Sequence, residues 1–278
     1  MYCDLHTHSI FSDGTFTPEE IIKEAERIGL SAVALCDHNT AEGIPAFLEA
    51  GKTSSVRTVP GVELSTDYGE TELHIVGLFL PEERLSEVQA YTEALLNKKA
   101  ESNRELISRL QKDGYDITFE EVASLTPKGR FNRSHIGAKL TEKGYVSSVK
   151  EAFATLLAKE SPYYVPVKRI PSLEAIAFLK SIGAVPVLAH PLLDLSREEL
   201  LQFLPEATEA GLAGMEVLHP SHGREESEFV RQLCEQYNLL PSGGSDFHGA
   251  RKPDIPLGKE HVPYTYFENL LNYSTYAL

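Results

Sequence analysis

Cysteine, positive charge and long apolar runs are all scarce in this 278-residue chain. The three cysteines, Cys3, Cys36 and Cys234, include no C-x-x-C pair, and any disulfide scheme leaves one over. That excludes a disulfide framework, suits a reducing compartment and makes each thiol a small buried hydrophobe. No apolar stretch approaches the roughly 20 residues that span a bilayer, and no basic segment leads into an apolar one at the N-terminus. The expectation is a soluble cytoplasmic protein with no membrane partner, a monomer or small homo-oligomer. Lysine and arginine number 26 against 41 acids, a formal charge of -15. Wrapping a duplex requires rows of Lys and Arg, so that class is excluded. A small phosphorylated molecule or an oligonucleotide end remains compatible, provided bound divalent cations offset the charge where it matters.

What the chain does contain is an alternation of short apolar runs with amphipathic stretches, the mark of βα units and a largely parallel sheet. Seven strands are expected, at Tyr2–Leu5, Ala32–Leu35, Arg57–Val62, Leu73–Leu80, Val185–Ala189, Gly214–Leu218 and Leu239–Ser242. Helices lie between them; one begins at Thr17, where Pro18 and two glutamates fit the first turn. From Pro81 to Pro171 the alternation stops. Long polar helical stretches fill that interval, so the expected organisation is a barrel domain of residues 1–80 and 172–278 and a helical insertion of residues 81–171.

The histidines and acids fall in a pattern. His6 and His8 follow strand one, His38 follows strand two, Glu63 ends strand three and His190 ends strand five. His219 ends strand six, and Asp246 and His248 follow strand seven. In parallel α/β barrels the carboxyl ends of the strands form one rim, where such groups converge. Any one of these histidines alone is better read as a hydrogen-bonded structural residue. Together they would be a costly set of partly buried polar groups unless something pairs with them, and a metal cluster is that partner. Imidazole and carboxylate suit manganese, zinc or iron, and an acid such as Glu63 can bridge two ions.

The segments "DLHTHSIFSDGT", "DHN", "PGVELS", "AHP" and "GGSDFHG", in this order, resemble the PHP family of phosphoesterases, named for polymerase and histidinol phosphatase. "LHIVGL", "FNRSHIGAKL" and "EVLHPSH" further resemble the subgroup acting on nucleoside 3',5'-bisphosphates and on the 5' ends of short RNA. The resemblance implies a distorted, TIM-like (β/α)7 barrel with a helical insertion, in agreement with the seven strands. It implies two to three divalent ions. His6, His8, Glu63 and Asp246 would hold the first, Glu63, His74 and His190 the second, and Asp13, His38 and His248 the third. It also implies that Arg133 and His135 contact the substrate phosphate, although Ser134 stands where the motif has proline, and that His222 is another phosphate contact. His219 is placed beside the ligands or the substrate, and Phe131 or Tyr163 is expected to stack on a base. Asp4 and Asp37 either orient neighbouring imidazoles or cap strand ends.

The expected activity is hydrolysis of a phosphoester of a nucleotide or short oligonucleotide, by in-line attack of a metal-bridging hydroxide. The rivals are a histidinol-phosphate phosphatase, a noncatalytic metal-binding PHP module and a carbon–nitrogen hydrolase; the last is disfavoured because no lysine stands at a strand end.

Overall fold

The computed structural model describes residues 1–126 and 131–276. Its strands are β1 (Tyr2–Asp4), β2 (Ala32–Leu35), β3 (Arg57–Tyr68), β4 (Thr71–Leu78), β5 (Ile170–Pro171), β6 (Val185–Leu188), β7 (Gly214–Leu218), β8 (Leu240–Gly243) and β9 (Val262–Pro263). Helices α1 (Pro18–Ile28) and α2 (Ile44–Gly51) lie in the N-terminal part. The middle of the chain holds α3 (Leu85–Lys112), α4 (Phe119–Ala123), α5 (Arg133–Glu142) and α6 (Val149–Ala154). The C-terminal part holds α7 (Ser172–Ser181), α8 (Pro191–Asp194), α9 (Arg197–Ala210), α10 (Arg224–Tyr237) and α11 (Tyr264–Tyr273).

Local chemistry explains these elements. β2 and β6 are wholly buried runs, AVAL and VPVL, as strands covered on both faces must be. At α1, Thr17 and Glu20 form a reciprocal capping box, Pro18 opens the first turn, and Gly29 closes the helix at φ +79°.

The sheet runs β8-β7-β6-β4-β3-β2-β1-β9, with β5 added to β3. Backbone hydrogen bonds from Leu5 N–H to Gly243 O (3.2 Å), Asp246 N–H to His6 O (2.9 Å) and His8 N–H to Phe247 O (2.9 Å) bring the two sides together into a nearly closed barrel. Glycine permits this seam: a Cβ on Gly244 would lie 2.6 Å from the His6 nitrogen.

All seven expected strands are present, with two differences. β3 continues past Glu63 to Tyr68, so Glu63 lies inside the strand rather than at its end. β4 runs antiparallel to both β3 and β6, pairing Ser65 with His74 and Ile75 with Leu188. The start of β4 therefore lies at the same rim as the ends of its neighbours, which is how His74 reaches the site.

Two apolar clusters hold the molecule. The larger lines the barrel and its helices; the smaller gathers Leu106, Ile107, Leu110, Ile117, Val122, Ile136, Leu140, Val146, Ala152 and Leu157. α3 joins them, with Val88 in the first cluster and its last two turns in the second. It forms a single helix of 28 residues.

Candidate metal centre

The rim of the barrel collects nine of the expected side chains. His6, His8, Glu63, His190, Asp246 and His248 are buried, Asp13 is 5% exposed, and His38 and His74 are half-buried. Two of them, His190 (φ +28°) and Asp246 (φ +54°), take up left-handed backbone, a sparsely populated conformation for residues with side chains and one that recurs at functional sites.

Glu63 is the hub. Its Oε1 lies 2.8 Å from His74 Nδ1, 3.1 Å from His190 Nε2 and 3.4 Å from His6 Nε2. Its Oε2 lies 2.7 Å from His38 Nδ1 and 3.4 Å from His8 Nε2. Asp246 Oδ1 approaches His8 Nε2 at 3.1 Å and His6 Nε2 at 3.8 Å, and those two imidazole nitrogens are 3.1 Å apart. A second focus forms on Asp13 Oδ1, which is 3.1 Å from His248 Nε2, 3.7 Å from His38 Nε2 and 4.0 Å from His8 Nδ1.

Several of these close approaches are not hydrogen bonds. Asp13 Oδ1, Glu63 Oε2 and His38 Nδ1 are buried with no hydrogen-bond partner, although the last two are 2.7 Å apart. Buried acceptors left unsatisfied cost on the order of 1–3 kcal/mol each, so such atoms aimed at a common point call for a cation. Ligand atoms of His8, Asp13, His38 and His248 lie within 4.8 Å of one another, as do those of His6, His8 and Glu63 and those of His38, Glu63 and His74. The donor set fits divalent ions of borderline hardness. These groupings share His8 and His38 between sites that the family resemblance keeps separate.

Neighbouring charges offset the cost of burial at this rim. Burial, reinforced by His248 and His38, pushes His8 down to about 3, leaving it a neutral imidazole. For Glu63, burial raises the carboxyl, but the surrounding imidazoles outweigh it and hold it well below the usual range. The same balance raises His74 to about 10 and His190 to about 9: burial lowers them, and carboxylate partners, Glu63 in both cases, more than offset it.

Around this shell stand residues that orient it. Glu216, a buried acid inside the apolar strand β7, accepts from His6 Nδ1 at 2.8 Å and from the His190 backbone N–H at 2.7 Å. The sequence reading assigns it no role; an acid within "GMEVL" was the available signal. His248 Nδ1 donates to the Asp246 carbonyl at 2.8 Å and His190 Nδ1 to Asp194 at 3.0 Å, which turns the other nitrogens inward. Asp4 and Asp37 cap strand ends: Asp4 accepts from Ser245 and the Gly258 N–H, Asp37 from Ser9 and Ser12. Lys252 donates to Asp246 Oδ2 at 2.6 Å.

The expected phosphate-binding residues divide. His219 is buried; its Nδ1 accepts from the Ser221 N–H at 3.1 Å, so the proton resides on Nε2, which has no partner and lies 3.7 Å from Asp246 Oδ2. His222 donates from Nδ1 to the Val217 carbonyl at 3.3 Å and leaves Nε2 without a partner. His135, buried at the first turn of α5, is held down to about 3 by burial and by nearby Arg251. Arg133 donates to the Leu157 carbonyl at 3.2 Å and lies over the rings of Phe153 and Tyr164. Asn132 makes the connection to the rim: its Oδ1 accepts from Ser134 N–H to cap α5, and its Nδ2 donates to Asp13 Oδ2 at 2.9 Å.

Beside His38 a partly open cleft with a cavity volume of about 90 Å³ runs under the middle helices, lined by Phe11, Lys99, Asn103, Phe119 and Phe131 among others. Tyr163 is not in it: its hydroxyl donates to Asp113 within the smaller cluster.

Comparison with known proteins bears on this site. The chain is 31% identical over 271 residues to the 5'-3' exoribonuclease Rnm of Escherichia coli, covering 93% of this chain and 92% of that one. It is 29% identical to a phosphoribosyl 1,2-cyclic phosphate 1,2-diphosphodiesterase of Eggerthella lenta, over 88% of this chain and 94% of that one. It is 28% identical to a 3',5'-nucleoside bisphosphate phosphatase of Chromobacterium violaceum, over 88% and 86% respectively. Among solved structures, a Bifidobacterium adolescentis protein provisionally assigned as a metal-dependent phosphoesterase superposes with a TM-score of 0.88 at 28% identity, covering 97% of this chain and 95% of that one. The PHP domain model matches residues 4–162, and with the barrel and the ligand-rich rim in place, the chain belongs to the PHP domain family.

Proposed function

We propose that this chain is a metal-dependent hydrolase of phosphoester bonds, acting on phosphorylated nucleotides: the 3'-phosphate of nucleoside 3',5'-bisphosphates, the 5' ends of short oligonucleotides, or both. The observation that carries this reading is the convergence of buried, partnerless acceptors and imidazoles on Glu63 and Asp13. His6, His8, Glu63 and Asp246 would hold one ion, Glu63, His74 and His190 a second, and Asp13, His38 and His248 a third. Bound divalent ions supply Lewis acidity toward phosphoryl oxygens and a lowered pKa for water. The protein's own groups do the rest. His219 holds a proton on Nε2 toward Asp246 and is read as a hydrogen-bond donor to a substrate oxygen; His135 and His222 face the phosphate. The aromatic cleft beside His38 receives the base, with Phe131 in place of the alternative Tyr163. Residues 81–171 act as the lid over it, supported by their separate apolar cluster and by the Asn132 link to the rim.

The test is phosphate release by the manganese-loaded chain from adenosine 3',5'-bisphosphate, a 5'-phosphorylated RNA oligomer and histidinol phosphate side by side. Activity on the nucleotides, lost in Asp246→Asn, is expected. A fully active Asp246→Asn variant, or preference for histidinol phosphate, would overturn the assignment.

A further inference from the structure

We infer that Arg251 anchors the phosphoryl group of the substrate at the Asp13 corner of the site, an assignment that rests on the phosphoester reading above and names a group it does not use. Arg251 ends the short turn Gly249–Arg251 that directly follows His248. It is partly buried; its Nε is buried with no hydrogen-bond partner, and among the described residues it joins no ion pair. An arginine Nε–H withdrawn from water without an acceptor is costly, and the planar guanidinium fork matches the oxygens of a phosphate.

Its surroundings are those of the site. Arg251 lies within electrostatic range of the Asp13 carboxylate and of His135, near the corner where Asn132, Asp13 and His248 meet. Neighbouring cations are engaged elsewhere: Lys252 pairs with Asp246 at 2.6 Å, and Arg133 reaches the Leu157 carbonyl between two aromatic rings. The turn that carries Arg251 is fixed. Ala250 N–H donates to Thr15 Oγ1 at 2.9 Å, and Gly249, at φ +62°, packs so closely that a Cβ would lie 2.2 Å from that oxygen. A cation with an open Nε donor, held on a rigid turn beside the proposed ligands, is placed to receive an oxyanion.

The experiment compares wild type with Arg251→Ala and Arg251→Lys by two readings: affinity of the metal-free protein for inorganic phosphate by calorimetry, and KM and kcat of the manganese-loaded protein on adenosine 3',5'-bisphosphate. Loss of charge-assisted hydrogen bonds predicts that Arg251→Ala raises the phosphate dissociation constant and KM roughly ten- to a hundredfold. The effect on kcat should be smaller, Arg251→Lys intermediate, and added guanidinium ion should partly restore the alanine variant. Either variant, folded to the wild-type melting temperature with unchanged phosphate affinity and KM, overturns the inference, as does a wild type that binds no phosphate with or without manganese. If the wild type binds phosphate through Arg251 yet hydrolyses no phosphoester, the functional reading fails and this one stands.

Discussion

Glu63 meets five imidazoles with two carboxylate oxygens, and that geometry depends on a residue to which the motifs assign no role. Glu216 fixes the His6 ring through Nδ1, which is why Nε2 points inward. Glu216→Ala should lower both manganese affinity and kcat/KM by about 10- to 100-fold. Metal titration and steady-state kinetics check this, and an unchanged metal affinity would reduce Glu216 to a packing role. Lys99 supplies a pH test. Burial pushes its ammonium down to about 8, while its Nζ donates to Ser65 at 2.9 Å in the wall of the cleft. As pH rises through about 8 the lysine loses its charge, so KM for an anionic substrate should climb. In Lys99→Met, KM should start high and lose that step. At this scale the sequence was readable wherever histidine or acid followed a strand; Glu216 and Arg251 were hidden because their roles depend on contacts distant in the chain.

Among the elements, β4 shows where a rule of pattern ran out. A catalytic rim at the carboxyl ends of parallel strands does not account for a histidine near the start of one, yet antiparallel pairing carries His74 there. The apolar runs located the strands but carried no direction, because periodicity is the same read either way. The middle helices were legible as helices from their polar periodicity. Their attachment was not: one asparagine joins α5 to Asp13. Two substitutions separate its roles. Asn132→Ala removes the cap and should cost about 1 kcal/mol, a few degrees in melting temperature. Asn132→Asp keeps a cap but sets a carboxylate against Asp13, so it should lose activity with little loss of stability. Thermal melts beside kinetics distinguish the two, and equal activity in all three proteins would remove the link from function.

For the whole molecule, the charge of -15 and the concentration of acids and imidazoles at one rim couple metal binding to stability. Ions that bind only the folded state stabilise it by mass action, by roughly 2.7 kcal/mol at a hundred times the dissociation constant. Manganese should therefore raise the melting temperature by roughly 5–10 °C, and a chelator should reverse the shift. No helix among the described residues is long and apolar enough to cross a membrane. The barrel follows from pattern, while closure of the seam through Gly244 and the sharing of His8 and His38 between ligand groups required three dimensions. The central claim is that Glu63 organises a hydrolytic metal centre. Phosphate release from adenosine 3',5'-bisphosphate by manganese-loaded wild type beside Glu63→Gln tests it most directly: turnover in the first and a loss of more than roughly a thousandfold in the second is predicted, and comparable turnover by both would contradict it.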